Sequence, residues 1–118
     1  MYLIDTCMII WAFEGNKEKL GRAYNLLVDN TIPFFVSVVS YWEIVIKTSL
    51  GKLSIPNNFT EMVQKNGFLW LYVEPAHIDM LAKLPMLHSD PFDRLLIAQA
   101  KATGLELLTH DEKIKLYF

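Results

Sequence analysis

The chain has 118 residues, 53% of them hydrophobic and 20% charged, a balance that excludes a disordered polypeptide and suits one domain of ordinary size. Eleven Lys and Arg against 13 Asp and Glu leave a net charge of −2, which excludes nucleic-acid binding through bulk positive charge. The single cysteine, Cys7, excludes an internal disulfide framework and fits a reducing cytoplasm, and apolar runs such as Met8 to Phe13 fall far short of the roughly 18 residues that span a bilayer.

The N-terminus lacks a basic segment followed by an apolar one, so no secretory signal is expected. In chain order, Tyr2-Leu3-Ile4 is a short apolar run, followed by a helical pattern through Trp11 and Phe13 to Gly15. Residues 17–30 read as one amphipathic helix, with Leu20, Ala23, Leu27 and Val28 on one side. Pro33 opens a strand at Phe34-Phe35-Val36. Ser37 or Ser40 suits the N-cap of a helix to about Leu50, with Gly51 at its C-terminal stop. Asn57 or Asn58 caps a short helix to Asn66-Gly67, and Leu69 to Val73 is strand-like. Pro75 opens a helix that ends before Pro85, Pro91 to Thr103 is helical, and Gly104 stops it. Leu105 to Leu108 is a strand, and Asp111 starts a last short helix.

Strands this apolar, alternating with helices, are covered on both faces, so the predicted class is α/β with a parallel sheet flanked by helices. Functional residues of open α/β sheets gather at the carboxyl ends of the strands. Asp5 directly follows the first apolar run, and Asp111 follows the last after Thr109 and His110. Glu43 lies one to two turns into the helix after the second strand, and Asp90 and Asp93 bracket the start of the helix at Pro91.

Each acid also has a plain structural use. Asp5, Asp90 and Asp111 suit N-caps, and Glu43 with Lys47 makes a favourable i,i+4 pair. Together they imply more, because two carboxylates about 4 Å apart repel by roughly 4 kcal/mol at an effective dielectric near 20. A cluster of them needs protons or a cation, and all-oxygen ligation is what Mg²⁺ and Mn²⁺ prefer. Such an ion activates water and neutralises charge on a phosphodiester. Thr109 is placed to orient a carboxylate or to end its strand. His77, His88 and His110 lack zinc-ligand spacing, Cys7 has no nucleophile motif, and the glycines form no phosphate loop. Trp11, Trp42 and Trp70 read as core or interface residues.

Leu3-Ile4-Asp5-Thr6, Ser40-Tyr41-Trp42-Glu43-Ile44, Leu50-Gly51-Lys52-Leu53, the block from Asp90-Pro91-Phe92-Asp93-Arg94 to Ala100, and Leu108-Thr109-His110-Asp111 occur in an order that resembles the PIN-domain family. The likeness is closest to the VapC-type toxins of bacterial type II toxin–antitoxin pairs. It implies a single PIN-like nuclease domain over residues 1–118, in three layers, with a parallel sheet of four to five strands. Such proteins usually continue a little beyond the point where this sequence stops, so a fifth strand is expected to be short or missing. The resemblance also implies a Mg²⁺- or Mn²⁺-dependent endoribonuclease that hydrolyses RNA phosphodiesters with metal-activated water. By matching position, Asp5, Glu43, Asp93 and Asp111 are the catalytic and metal-site acids, Asp90 joins them as a further candidate ligand, and Thr6 and Thr109 support the site. The implied protein is cytoplasmic, forms homodimers, and is silenced by an antitoxin whose tail fills the active-site groove.

Lys47, Lys52, Arg94, Lys113 and Lys115 lie near the acids in sequence and are candidates to hold the RNA backbone, though Arg94 also suits pairing with an acid. Two other readings compete. A phosphoacceptor receiver domain also carries acids at strand ends, but it needs adjacent acids after its first strand and a lysine after its last. A non-catalytic interaction module with the PIN fold would have no reason to keep four repelling acids.

Overall fold

β1 (Tyr2–Ile4) is the strand around which the sheet is laid. The computed structural model describes residues 1–55 and 58–118. α1 (Thr6–Glu14), α2 (Lys17–Leu20) and α3 (Ala23–Leu27) lead from β1 to β2 (Phe34–Ser37). α4 (Val38–Ser49) and α5 (Phe59–Lys65) lead to β3 (Leu69–Leu71). α6 (Pro75–Ala82) and α7 (Pro91–Thr103) lead to β4 (Glu106–Leu108), and α8 (Glu112–Lys115) follows. All pairings are parallel and the strand order is β3-β2-β1-β4, with Leu3 opposite Phe35 on one side and Leu107 on the other.

Alternation along the strands builds the layers. Ile4, Phe34 and Val36 face a core filled by Met8 and Ile9 of α1, Leu20 of α2, Ile44 of α4 and Phe59 and Val63 of α5. Leu3 points the other way, against Leu96 and Ala100 of α7, with Phe35 and Leu71 packed beside them. Ile97 and Ala98 extend that second layer to Leu84, Ile114 and Tyr117. The result is the expected three-layer α/β fold with a four-stranded parallel sheet. β1 is buried on both faces, whereas Leu69 at the β3 edge is 49% exposed.

Several details differ from the sequence expectations. The single helix over residues 17–30 is broken into α2 and α3, because Gly21 takes φ 55° and ψ −126°, outside the helical basin. Val28, expected on its buried side, is 54% exposed. The third strand ends at Leu71 instead of Val73. Of the two expected caps of α5, Asn58 does the work, its side chain accepting the Thr60 amide at 3.1 Å; Asn57 lies outside the described residues. Ser37 rather than Ser40 caps α4, and Gly104, in the left-handed region at φ 75°, ends α7.

The topology fixes where a site can form. From β1 the chain moves outward to β2 and β3, then returns across the sheet to place β4 on the far side of β1. The carboxyl ends of β1 and β4 therefore flank a topological switch point, the crevice at which open α/β sheets bind ligands. Among the described residues, no helix is long and apolar enough to cross a membrane.

Candidate active site

Asp5 leaves β1 at this crevice and caps α1. Its Oδ1 accepts the Met8 amide at 2.9 Å, and its Oδ2 accepts the hydroxyl of Thr109, which follows β4. The side chain is buried, and that burial pushes its carboxyl above the ordinary value; the bonds from Thr109 and Met8 offset part of the rise and the charge of Asp111 adds to it. Thr6, the first residue of α1, donates to Ser40 Oγ at 2.9 Å and so ties α1 to α4, the helix that carries Glu43.

Glu43 is only 3% exposed. Its Oε2 lies 2.7 Å from Lys47 Nζ, while Oε1 is buried with no hydrogen-bond partner among the described residues. The i,i+4 pair thus exists, but it is not a surface pair: the acid is inside and only the lysine, with a side chain 46% exposed, reaches solvent. The hydrogen bond to Glu43 raises the Lys47 ammonium above its usual range.

Asp90 caps α7, with Oδ1 accepting the amides of Phe92 at 2.8 Å and Asp93 at 3.1 Å. Asp93, in the first turn, is pushed up to about 6, first by burial and then by the charges of Asp90 and Glu43. Asp111 caps α8 through Oδ1, which accepts the amides of Lys113 and Ile114, and its amide donates to Thr109 Oγ1 at 3.0 Å. Capping and facing the crevice are therefore compatible, because a carboxylate has two oxygens.

Asp5, Glu43, Asp90, Asp93 and Asp111 all line one cleft of about 280 Å³, with Thr6 and Lys47 beside them. Thr109 stands behind Asp5 rather than in the cleft. The five acids arrive from four separate segments, as the strand-end argument expected. Their donor set is wholly hard oxygen, and the buried, partnerless Glu43 Oε1 is the kind of atom that a cation satisfies, so the residues fit Mg²⁺ or Mn²⁺.

The other candidate cations lie elsewhere. Arg94 neither lines the cleft nor pairs with an acid: its Nη1 donates to the Pro85 carbonyl at 2.9 Å and the Tyr117 hydroxyl at 3.0 Å. Lys113 lines a shallow depression with Met86 and His88. Lys115 pairs with Glu112 at 3.5 Å, and Lys52 is exposed beyond the end of α4.

Residues that the sequence did not assign to the site stand at it or against its acids. His88 Nε2 is 3.0 Å from Asp93 Oδ2 and 3.9 Å from Asp111 Oδ2. Zinc-like spacing was the wrong question for this histidine, whose partners come from two separate helix starts. Trp11 also lines the cleft, stacked on His110 at 6.5 Å between ring centroids. Cys7 stands at the same cleft, but desolvation, with the charges of Asp5 and Glu43, pushes its thiol up to about 11, which disfavours the thiolate that nucleophilic attack needs.

A solved structure of VapBC2 from Rickettsia felis bound to a DNA fragment from their promoter contains a chain with the same fold: the TM-score is 0.68 at 15% identity, over 98% of this chain and 92% of that one. No curated protein sequence matches at a significant level. The family model described as PIN domain matches residues 2–117, all but the first and last positions, and on that match the chain belongs to the PIN-domain family.

Proposed function

We propose that this protein is a divalent-metal-dependent endoribonuclease and the toxin of a type II toxin–antitoxin pair. The observation that carries the reading is the gathering of five carboxylates in one cleft at the switch point, with Glu43 Oε1 buried and partnerless. Without a cation, ionised carboxylates sharing one cleft repel one another, a cost that a fold with no use for it has no reason to bear. When bound, Mg²⁺ or Mn²⁺ supplies water activation and neutralisation of the charge that develops on a phosphodiester.

The chain's own residues do the positioning. Asp5, Glu43, Asp93 and Asp111 hold the cation, and Asp90 adds negative charge beside them while fixing the start of α7. Thr109 fixes the Asp5 carboxylate, and Thr6 keeps α1 against α4. Lys47 meets the RNA backbone from the rim, since its head is half exposed while its partner is buried. Arg94 and Lys113 are not assigned this task, given where their side chains go.

The toxin role draws on the resemblance to VapC-type proteins and on a structural neighbour that is half of a VapBC pair. On this reading the partners are RNA, a cognate antitoxin and a second copy of the chain, and the protein works in the cytoplasm.

The test is cleavage of single-stranded and structured RNA by the purified chain. The expected result is cleavage with Mg²⁺ or Mn²⁺ that stops with EDTA and is lost in Asp5→Asn. Cleavage that resists EDTA would contradict the metal mechanism. No cleavage by a folded, metal-loaded protein would favour the non-catalytic module.

A further inference from the structure

His88 lies in the loop between α6 and α7, with its side chain 10% exposed. The Asp90 amide donates to its Nδ1 at 3.1 Å. A backbone amide can only donate, so Nδ1 must present its lone pair, and the proton of the ring sits on Nε2. That N–H points into the gap between Asp93 Oδ2 and Asp111 Oδ2, screened from solvent and aligned with neither oxygen.

On distance alone the group has another reading. Donor atoms of His88, Asp93 and Asp111 all lie within 4.8 Å of one another, close enough for a mixed nitrogen–oxygen metal site. The tautomer decides against it. A ligating imidazole nitrogen needs a bare lone pair, and Nε2 has none while Nδ1 accepts from Asp90. The loop is also held in place: the amides of Leu87 and His88 both donate to the Tyr117 hydroxyl at 3.0 Å, and Arg94 donates to the same oxygen. Arg94 thus serves the site through Tyr117 and the His88 loop.

We propose that His88 is a positioning residue: its tautomer-locked Nε2–H, 3.0 Å from Asp93 Oδ2 and 3.9 Å from Asp111 Oδ2, steadies the two carboxylates electrostatically, and the ring is not a ligand to the ion. This rests on the reading of the acidic cleft as a cation site. Two helix starts supply those acids, α7 for Asp93 and α8 for Asp111, and His88 is the side chain that spans them.

Two substitutions separate the two nitrogens. His88→Asn keeps an acceptor near Nδ1 for the Asp90 amide and loses the donor. His88→Gln keeps a donor near Nε2 and loses the acceptor. Mn²⁺ binding to the full chain is measured by titration calorimetry, with pulsed EPR reporting any nitrogen bound directly to Mn²⁺. The expected result is no directly bound nitrogen in the wild type, affinity weakened about 10–100-fold in His88→Asn, and affinity largely restored in His88→Gln. His88→Gln is expected to melt lower than the wild type, because it orphans the Asp90 amide.

A directly bound imidazole nitrogen in the wild type would overturn the proposal, and that measurement needs no variant. Unchanged affinity in His88→Asn, or equal weakening in both variants, would overturn it as well. A folded wild type that binds no Mn²⁺ would overturn both this proposal and the metal-dependent reading. Normal Mn²⁺ binding, split by the variants as expected but without RNA cleavage, would overturn the nuclease reading alone.

Discussion

The Thr109 hydroxyl donates to Asp5 Oδ2 across the seam between β4 and β1, and Thr109 Oγ1 in turn accepts the Asp111 amide at 3.0 Å. One buried side chain therefore fixes an acid from the first strand and the cap that carries an acid from the last. The two ends of the sequence are locked together at the point where the candidate site begins.

Thr109→Val keeps the shape and removes both bonds. It leaves Asp5 Oδ2 and the Asp111 amide without their partner, a loss worth about 1–3 kcal/mol for groups that cannot reach water. It also removes the interaction that most offsets the upward push of burial on Asp5. The expected outcome is a lower denaturation midpoint and weaker divalent-cation binding, with both restored in Thr109→Ser. Urea unfolding and calorimetry of the two variants check it.

The caps separate two roles that one residue can hold. Asp5→Asn and Asp111→Asn keep an acceptor for the helix amides but lose the charge that a hard cation needs, so each is expected to fold and to lose cleavage. Asp90→Asn, whose Oδ1 bonds two amides, is expected to be milder in activity. Asp90→Ala removes the cap and should cost about 0.5–2 kcal/mol. Complete loss of activity in Asp90→Asn with unchanged melting would make Asp90 a ligand first and a cap second.

Asp93 carries the pH dependence. Its folded value of about 6 lies above the ordinary carboxylate value of roughly 3.9. A raised carboxyl stabilises the folded state in its neutral form, so this contribution is full below about pH 4 and is lost as pH rises through about 6. Asp5 is raised in the same direction. In metal-free protein, Asp93→Asn should therefore melt like the wild type near pH 4 and increasingly above it through pH 6. The gap should reach several degrees by about pH 7.5, on the order of 1–2 kcal/mol after solvent screening. Thermal melts across that range measure it.

Much of this was legible in the sequence, for local reasons. Asp5 and Asp111 stand just past apolar strands, and Asp90-Pro91 announces a helix start, so the topology alone brings them to one edge. The break at Gly21 was not legible, because a lone glycine in a helical pattern costs only about 1 kcal/mol and the apolar spacing continues across it. His88 escaped because its partners, Asp93 and Asp111, enter from two different helices; no spacing along the chain encodes that triangle. Arg94 read as a cation for the RNA backbone or for a neighbouring acid, but the Pro85 carbonyl and the Tyr117 hydroxyl claim it.

On the proposed reading the acids hold a cation at the expense of stability, and Asp93→Asn is the sharpest probe of that trade. The Asp93 carboxylate is destabilised where it stands even with His88 3.0 Å away, so the neutral amide should relieve more repulsion than it loses in attraction. Wild type and Asp93→Asn are melted near neutral pH in EDTA and in millimolar Mg²⁺. The expected result is a variant that melts higher than the wild type in EDTA and gains much less from Mg²⁺, since binding to the folded state alone raises the melting temperature. A variant that melts lower in EDTA and responds equally to Mg²⁺ would make Asp93 a structural residue of the α7 terminus and leave the acids without a cation role.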